Sequence, residues 1–235
     1  LTTWPALEDT EDDGWVYRAS AGLTGRANSL AVPEAGTPDP SKLDRVEQWY
    51  RERRLTPLVR VTPLTGQWVL DEVEGRGYGP FPSPSEVMTR PLPQADEATV
   101  GGEGAPVTLR DRGDDAWWAL TGRSDHDRAV LERAFEKASL PVAHASVKVA
   151  GEVVAVGQAA VGLGHVTVFS MNTAAAHRGR GHAQRVLDAL ETWGQRLGAH
   201  TAALQVVRDN REAQHLYRRR GYVVRYPYEY VRASS

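Results

Sequence analysis

Cysteine is missing from all 235 residues. Its absence excludes disulfides, thiolate metal sites and a cysteine nucleophile, and it fits a reducing compartment. Long apolar runs are missing too: none reaches the roughly 20 residues that a membrane-spanning helix needs, and no signal peptide opens the chain. The expectation is a soluble, cytoplasmic protein with no membrane partner. An excess of positive charge is the third absence, since 28 Lys+Arg face 30 Asp+Glu for a net charge of -2. With a sequence pI near 6.4, no global positive field exists to hold a nucleic-acid backbone, so nucleic acid is not an expected partner. Lysine itself is scarce, at Lys42, Lys137 and Lys148, and any basic patch is therefore built from arginine. The first residue is Leu1 rather than methionine, as expected of a segment cut from something longer or trimmed.

What remains is ample for a core, because hydrophobic residues make up 41% of the sequence and this length suits one large domain or two small ones. The stretch PLPQADEATVGGEGAP, residues 91–106, mixes proline, glycine and acids without apolar periodicity, as linkers do. It separates an N-terminal region, residues 1–90, from a C-terminal domain, residues 107–235. In that domain the periodicities predict a short strand at Val107 to Arg110, helices around Asp115 to Leu120 and His126 to Ala138, and two strands joined by a turn at Ala150 and Gly151. A third strand, HVTVFSM, follows. Then come the loop HRGRGHA, an amphipathic helix with Val186, Leu187, Leu190, Trp193 and Leu197 on one face, a strand, a helix and a last strand. The fold class expected is mixed α/β.

The two halves also resemble each other. LDRVEQW at Leu43 to Trp49 matches LDALETW at Leu187 to Trp193, an offset of 144 residues, and the same offset carries Asn28 to Asn172 and Arg76-Gly77-Tyr78 to Arg220-Gly221-Tyr222. Such registered similarity predicts an internal duplication. The copies are unequal. Where the second has Arg178, Gly181 and Ala183, the first has Glu34, Thr37 and Asp39, and Tyr217 is matched by Val73. Acids would repel a phosphate, and Pro33, Pro38 and Pro40 have no N–H to donate, so the first copy reads as degenerate.

The loop His177 to Ala183 lies between a strand and a helix. The first N–H groups of a helix lack internal partners and sit at its positive end, which makes that end an anion site. Gly179 and Gly181 let a bulky diphosphate approach, and Arg178 and Arg180 add charge. A Walker loop would need a lysine followed by serine or threonine, and a dinucleotide fingerprint a third glycine early in the chain; neither is present. His177 and His182 have no third ligand at a suitable spacing, so no metal is expected. A second motif, NREAQHLYRRRGY, offers Asn210 as a helix cap with Ala213 and Tyr217 on one side of the helix.

Together these elements resemble the GNAT superfamily of acyl-CoA-dependent N-acetyltransferases, over Val107 to about Val231. The family's loop pattern matches Arg178, Gly181 and Ala183, and its later pattern matches Asn210, Ala213, Leu216, Tyr217, Gly221 and Tyr222. Ala175 departs from it, standing where a proline is frequent. The resemblance implies a GNAT fold, complete in the C-terminal copy and partial and degenerate in the N-terminal one. It implies acetyl-CoA as co-substrate, held by Met171, Asn172 and Thr173 on the strand, by Arg178, Gly179, Arg180, Gly181, His182 and Ala183 in the loop, and by Asn210, Ala213 and Tyr217 on the following helix. Tyr217 is the expected catalytic acid; for the base, His165, Ser170 and Glu229 stay open, as does no side chain at all.

The acceptor implied is a primary amine of a small molecule. The segment GRANS, ahead of a C-terminal GNAT domain, is similar to a tandem group proposed as N-acetylglutamate synthases, which points to an amino acid such as glutamate gripped by Arg26 and Asn28. The competing expectation is a non-catalytic acyl-CoA sensor or interaction module. A monomer or homodimer is expected.

Overall fold

A computed structural model describes residues 3–93 and 106–234; most of the expected linker, residues 94–105, lies outside the described residues. The strands are β1 (Glu8–Asp12), β2 (Trp15–Ala19), β3 (Leu30–Ala31), β4 (Leu58–Val61), β5 (Gly79–Pro91), β6 (Val107–Arg110), β7 (Val142–Val149), β8 (Glu152–Gly162), β9 (His165–Thr173), β10 (Thr201–Val207) and β11 (Val223–Arg232). The helices are α1 (Ser41–Glu52), α2 (Gln67–Gly75), α3 (Asp115–Thr121), α4 (Asp125–Ala138), α5 (His182–Arg196) and α6 (Arg211–Arg219). The mixed α/β class is as the periodicities predict. The β1–β2 hairpin and the length of β5, which runs to Pro91, are findings that the sequence patterns did not supply.

The chain forms two compact units. The N-terminal unit takes Trp4–Val87, Val206–Arg211 and the residues from Val224 onward; the C-terminal unit takes Met88–Gln205 and Glu212–Val223. The last strand is where these units depart from a division in chain order: β11, which follows α6, pairs antiparallel with β4 of the N-terminal unit, Glu229 opposite Val61. Conversely, the end of β5 belongs to the C-terminal unit, where Leu92 N–H donates to His200 O at 2.9 Å just before β10.

In the N-terminal unit the strands run β1-β2-β3-β4-β11, with β1–β2–β3 antiparallel and β3–β4 parallel. Leu43, Val46 and Tyr50 of α1 and Val69 and Val73 of α2 bury their apolar faces in one core with Trp15, Leu30 and Val59. Lys42 is also buried, and its ammonium both pairs with Asp13 and lies over the Trp15 ring, 5.3 Å from its centre.

In the C-terminal unit the order is β6-β7-β8-β9-β10, antiparallel up to β9 and parallel from β9 to β10. Local chemistry sets the helix starts: Asp114 caps α3 by accepting from Trp117 N–H, and Ser124 with Asp127 forms a capping box at α4. The amphipathic α5 buries Val186, Leu187 and Leu190. It lies so close to β9 that a Cβ on Gly194 would fall 2.4 Å from Val166, so only glycine permits that approach. Close packing of α5 is what fixes its N-terminus in space.

Some element bounds recur at the offset of 144 residues. This offset carries α2, Gln67–Gly75, onto α6, Arg211–Arg219, end for end, and the start of β5 onto the start of β11.

Candidate active site

The site is built where a parallel pair of strands parts. β10 pairs with β9 from Thr201↔His165 to Leu204↔Val168 and no further, although β9 continues to Thr173. On its other edge β9 stays paired with β8 through Thr173↔Ala155, with a register shift between Val156 and Gln158. The extra residue is accommodated at Ser170, whose φ of 53° is left-handed, and whose buried Oγ has no hydrogen-bond partner. A bulge of this kind re-aims the strand after it. Of the three expected strand residues, Asn172 donates its side-chain amide to Leu120 O at 2.6 Å and accepts from Thr173 N–H at 2.9 Å. Asn172 therefore ties the strand to α3, and the Thr173 N–H is already bonded. Met171 lies in the register shift, without a Cα partner on β8, while Asn172 and Thr173 face Val156 and Ala155.

The loop after β9 makes a short 3-10 turn at Ala175–His177 and then enters α5 through two left-handed glycines, Gly179 at φ 71° and Gly181 at φ 75°. Nothing lies within 4 Å of a Cβ built on either, so their backbone faces open space. Gly181 is the N-cap and supplies no side-chain hydrogen bond to the helix. The positive end of a 15-residue helix is thus left open toward the loop. Arg178 is held by a bond from Nε to Thr173 O at 3.4 Å. His182 is buried and contacts the Arg185 guanidinium through Nδ1; burial first, then Arg185, His177 and Arg180, pushes its imidazole below its ordinary range. That shift disfavours a positive charge on His182.

Tyr217 is buried on α6, its ring 5.8 Å from that of Tyr222. Among the described residues no group hydrogen-bonds its hydroxyl, and burial alone pushes its pKa up to about 12. Ala213 shares the C-terminal unit with Tyr217, whereas Asn210 falls in the Val206–Arg211 segment of the N-terminal unit. His165 starts β9, opposite Gly162, eight residues before Thr173 and so about 26 Å away along an extended strand.

Arg26 and Asn28, the expected acceptor-binding pair, belong to the N-terminal unit. Asn28 is buried and uses its amide on its own loop: Oδ1 accepts from Ser20 N–H at 2.6 Å and Gly22 N–H at 2.9 Å, and Nδ2 donates to Thr24 O at 2.8 Å. The guanidinium of Arg26 lies over Trp4, 4.9 Å from the ring centre, and its carbonyl accepts from Arg18. These bonds explain the polar residues of GRANS as loop closure.

One group that periodicity did not flag anchors the helix and the strand. Glu191 of α5, almost fully buried, pairs with Arg90 of β5 and accepts from Tyr222 Oη at 2.5 Å. Only its placement three residues from Asp188, on the helix side facing Arg220, hints at it in the sequence.

A mixed sheet whose parallel pair parts beside a glycine-entered helix is the GNAT fold. The chain is similar to a GCN5-related N-acetyltransferase from Kribbella flavida, at 14% identity and a TM-score of 0.66, covering 98% of this chain and 90% of that one. It is likewise similar to a GCN5-related N-acetyltransferase from Sphaerobacter thermophilus, at 20% identity and a TM-score of 0.64, covering 93% and 76%. The chain belongs to the family described as "Probable histone acetyltransferase Rv0428c C-terminal", which matches residues 1–231. "Probable histone acetyltransferase Rv0428c" of Mycobacterium tuberculosis is 30% identical over 209 residues, covering 86% of this chain and 62% of that protein. The chain thus spans a little under two thirds of this relative's length.

Proposed function

We propose that the protein is an N-acetyltransferase that moves an acetyl group from acetyl-CoA to a primary amine by direct attack. The observation that carries this reading is the open, glycine-entered N-terminus of α5 beside the point where β9 and β10 part. In this reading the first N–H groups of α5 and the backbone of Arg178 to Ala183 bind the diphosphate, and the space that Gly179 and Gly181 leave open is what a bulky anion requires. The unpaired edge of β9 at Met171 offers main-chain groups to the extended part of the co-substrate. Acetyl-CoA supplies an already activated thioester, so no covalent nucleophile is asked of a chain that has no cysteine. Tyr217 holds its proton at neutral pH, because burial raises its pKa to about 12, and its hydroxyl gives that proton to the leaving sulfur.

The N-terminal unit is a degenerate copy of the same fold in this reading, supported by elements that repeat 144 residues apart and by the parallel pairs β3–β4 and β9–β10 in equivalent places. For the acceptor, the resemblance of the GRANS layout to a tandem group proposed as N-acetylglutamate synthases leads us to a small-molecule amine such as an amino acid, glutamate included. The relative's name instead points to a protein lysine. A turnover assay that reads free thiol, with acetyl-CoA against glutamate, other amino acids and a lysine-bearing histone peptide, separates the two. Release of thiol with no amine in the set, or unchanged acetyl-CoA affinity in Gly181→Asp, would overturn the proposal.

A further inference from the structure

The C-terminal unit holds a cavity of about 430 Å³ walled by α3, α4, β7, β8 and the last turn of α5. Phe135, Leu140, Val142 and Trp193 form apolar walls. Two polar side chains interrupt them. His144 of β7 and Gln158 of β8 are cross-strand partners, and so stand side by side on one face of the sheet. They are 6% and 2% exposed. Both also line the cavity, and His144 Nε2 and Gln158 Oε1 have no hydrogen-bond partner.

The protonation of His144 follows from its other nitrogen. Nδ1 lies 3.1 Å from Asp111 O, and a carbonyl only accepts, so Nδ1 carries the hydrogen and Nε2 presents a lone pair. Burial holds this imidazole neutral, its pKa lowered to about 4. Two acceptors therefore stand buried in the cavity with neither of them hydrogen-bonded, which folding alone disfavours. The Trp118 Nε1–H, on a third residue of the lining, is a buried donor without a partner.

Charge at the rim selects the sign of the occupant. Asp111, Glu132 and Glu136 line it against Arg112, which pairs with Glu136 at 2.5 Å, and Glu132 pairs with Arg128 at 3.2 Å, so the three acids outnumber the two arginines by one. The balance is acidic, and Trp193 adds an aromatic face that favours a cation. We propose that this cavity is a binding site for a small organic ammonium compound that also carries a hydroxyl or carbonyl oxygen. The ammonium donates to His144 Nε2 and Gln158 Oε1, and the oxygen accepts from Trp118. Leu197, which lines the cavity, follows the end of α5, about 24 Å along the helix from Gly181. Occupancy can therefore be measured without acetyl-CoA, and the site stands or falls apart from the acetyltransferase reading.

The test is calorimetry on the full chain at neutral pH with phenylalaninol, 3-phenyl-1-propanol and phenylacetate, which share a ring and differ in charge. Phenylalaninol is expected to bind at least about tenfold tighter than the other two, and Gln158→Leu and His144→Phe each to weaken it by about tenfold or more. Gln158→Leu keeps the volume and removes an unpartnered atom, so it is expected to fold; unchanged melting temperature and circular dichroism check this, and it carries the test even where His144→Phe does not fold. Equal binding of the three probes, affinity unchanged in Gln158→Leu, or a crystal soaked in phenylalaninol with only ordered water in the cavity would each overturn the proposal.

Discussion

Tyr222 donates its hydroxyl to Glu191 at 2.5 Å, in a contact that joins the third residue past α6 to the middle of α5. The same carboxylate pairs with Arg90 of β5, so one buried acid binds three separate stretches of the C-terminal unit.

Removing that acid strands its partners. Glu191→Leu fills the volume but leaves the Arg90 guanidinium and the Tyr222 hydroxyl without their acceptor, and loss of one member of a buried pair typically costs about 3–5 kcal/mol. Because Arg90 is 21% exposed and recovers some hydration, the lower end is expected. Urea denaturation checks it; a change below about 1 kcal/mol, the size expected of an exposed pair, would show that the cluster does not hold the unit together.

Tyr217→Phe separates an enzyme from a sensor. The ring and its packing against Tyr222 remain, so folding and acetyl-CoA affinity should be nearly intact, while turnover falls by roughly 10²–10⁴, the range of general acid catalysis. The loss belongs in kcat rather than KM, since the proton is needed only as the sulfur leaves. Turnover within about twofold of the parent, far below that range, would make Tyr217 a packing residue.

A saturating titration should give one acetyl-CoA per chain. In the N-terminal unit the start of α1 is already occupied by the chain's own acid, because Asp39 accepts from Ser41 N–H at 3.0 Å and from Ser41 Oγ at 2.6 Å. That bond holds the Asp39 carboxyl below its usual range, so it stays charged and repels a second anion. Val73, matching Tyr217, lies in the core. Two sites per chain would contradict the degeneracy of the first copy.

Stability should fall in acid through His144. Its pKa is about 4 in the folded protein against 6.5 ordinarily, so below pH 6.5 the unfolded chain takes up the proton first. The stabilisation is fully present above pH 6.5 and is lost as pH falls toward 4, by about 3 kcal/mol. Denaturation midpoints measured between pH 4 and 7.5 should show this slope, and His144→Phe should remove it. Tyr217 acts in the opposite range: its raised pKa contributes stability that is lost as pH climbs above 10 toward 12.

Much of the fold was legible because its signals are local. Alternation marked β7 to β9, helical periodicity from His126 to Ala138 marked α4, and paired glycines marked the entry to α5. The glycine spacing of the loop and the helical face that carries Tyr217 are also local features, each read within a dozen residues. Asn28 shows where local reading stops, because an asparagine that grips a ligand and one that closes its own loop look alike until its loop partners, Ser20 and Gly22, are seen.

The sequence by itself determined the order of helices and strands after the linker, the 144-residue recurrence of α2 in α6, and the open glycine entry to α5, all set by propensity, periodicity and turn chemistry along short stretches. Tertiary structure decided which strands became neighbours. Only it placed β11 beside β4 in the N-terminal unit, and only the antiparallel register of β7 and β8 brought His144 next to Gln158 in one cavity. Strand pairing depends on backbone hydrogen bonds between distant residues, and every strand offers the same donors and acceptors, so the choice of partner rests on how the whole core packs.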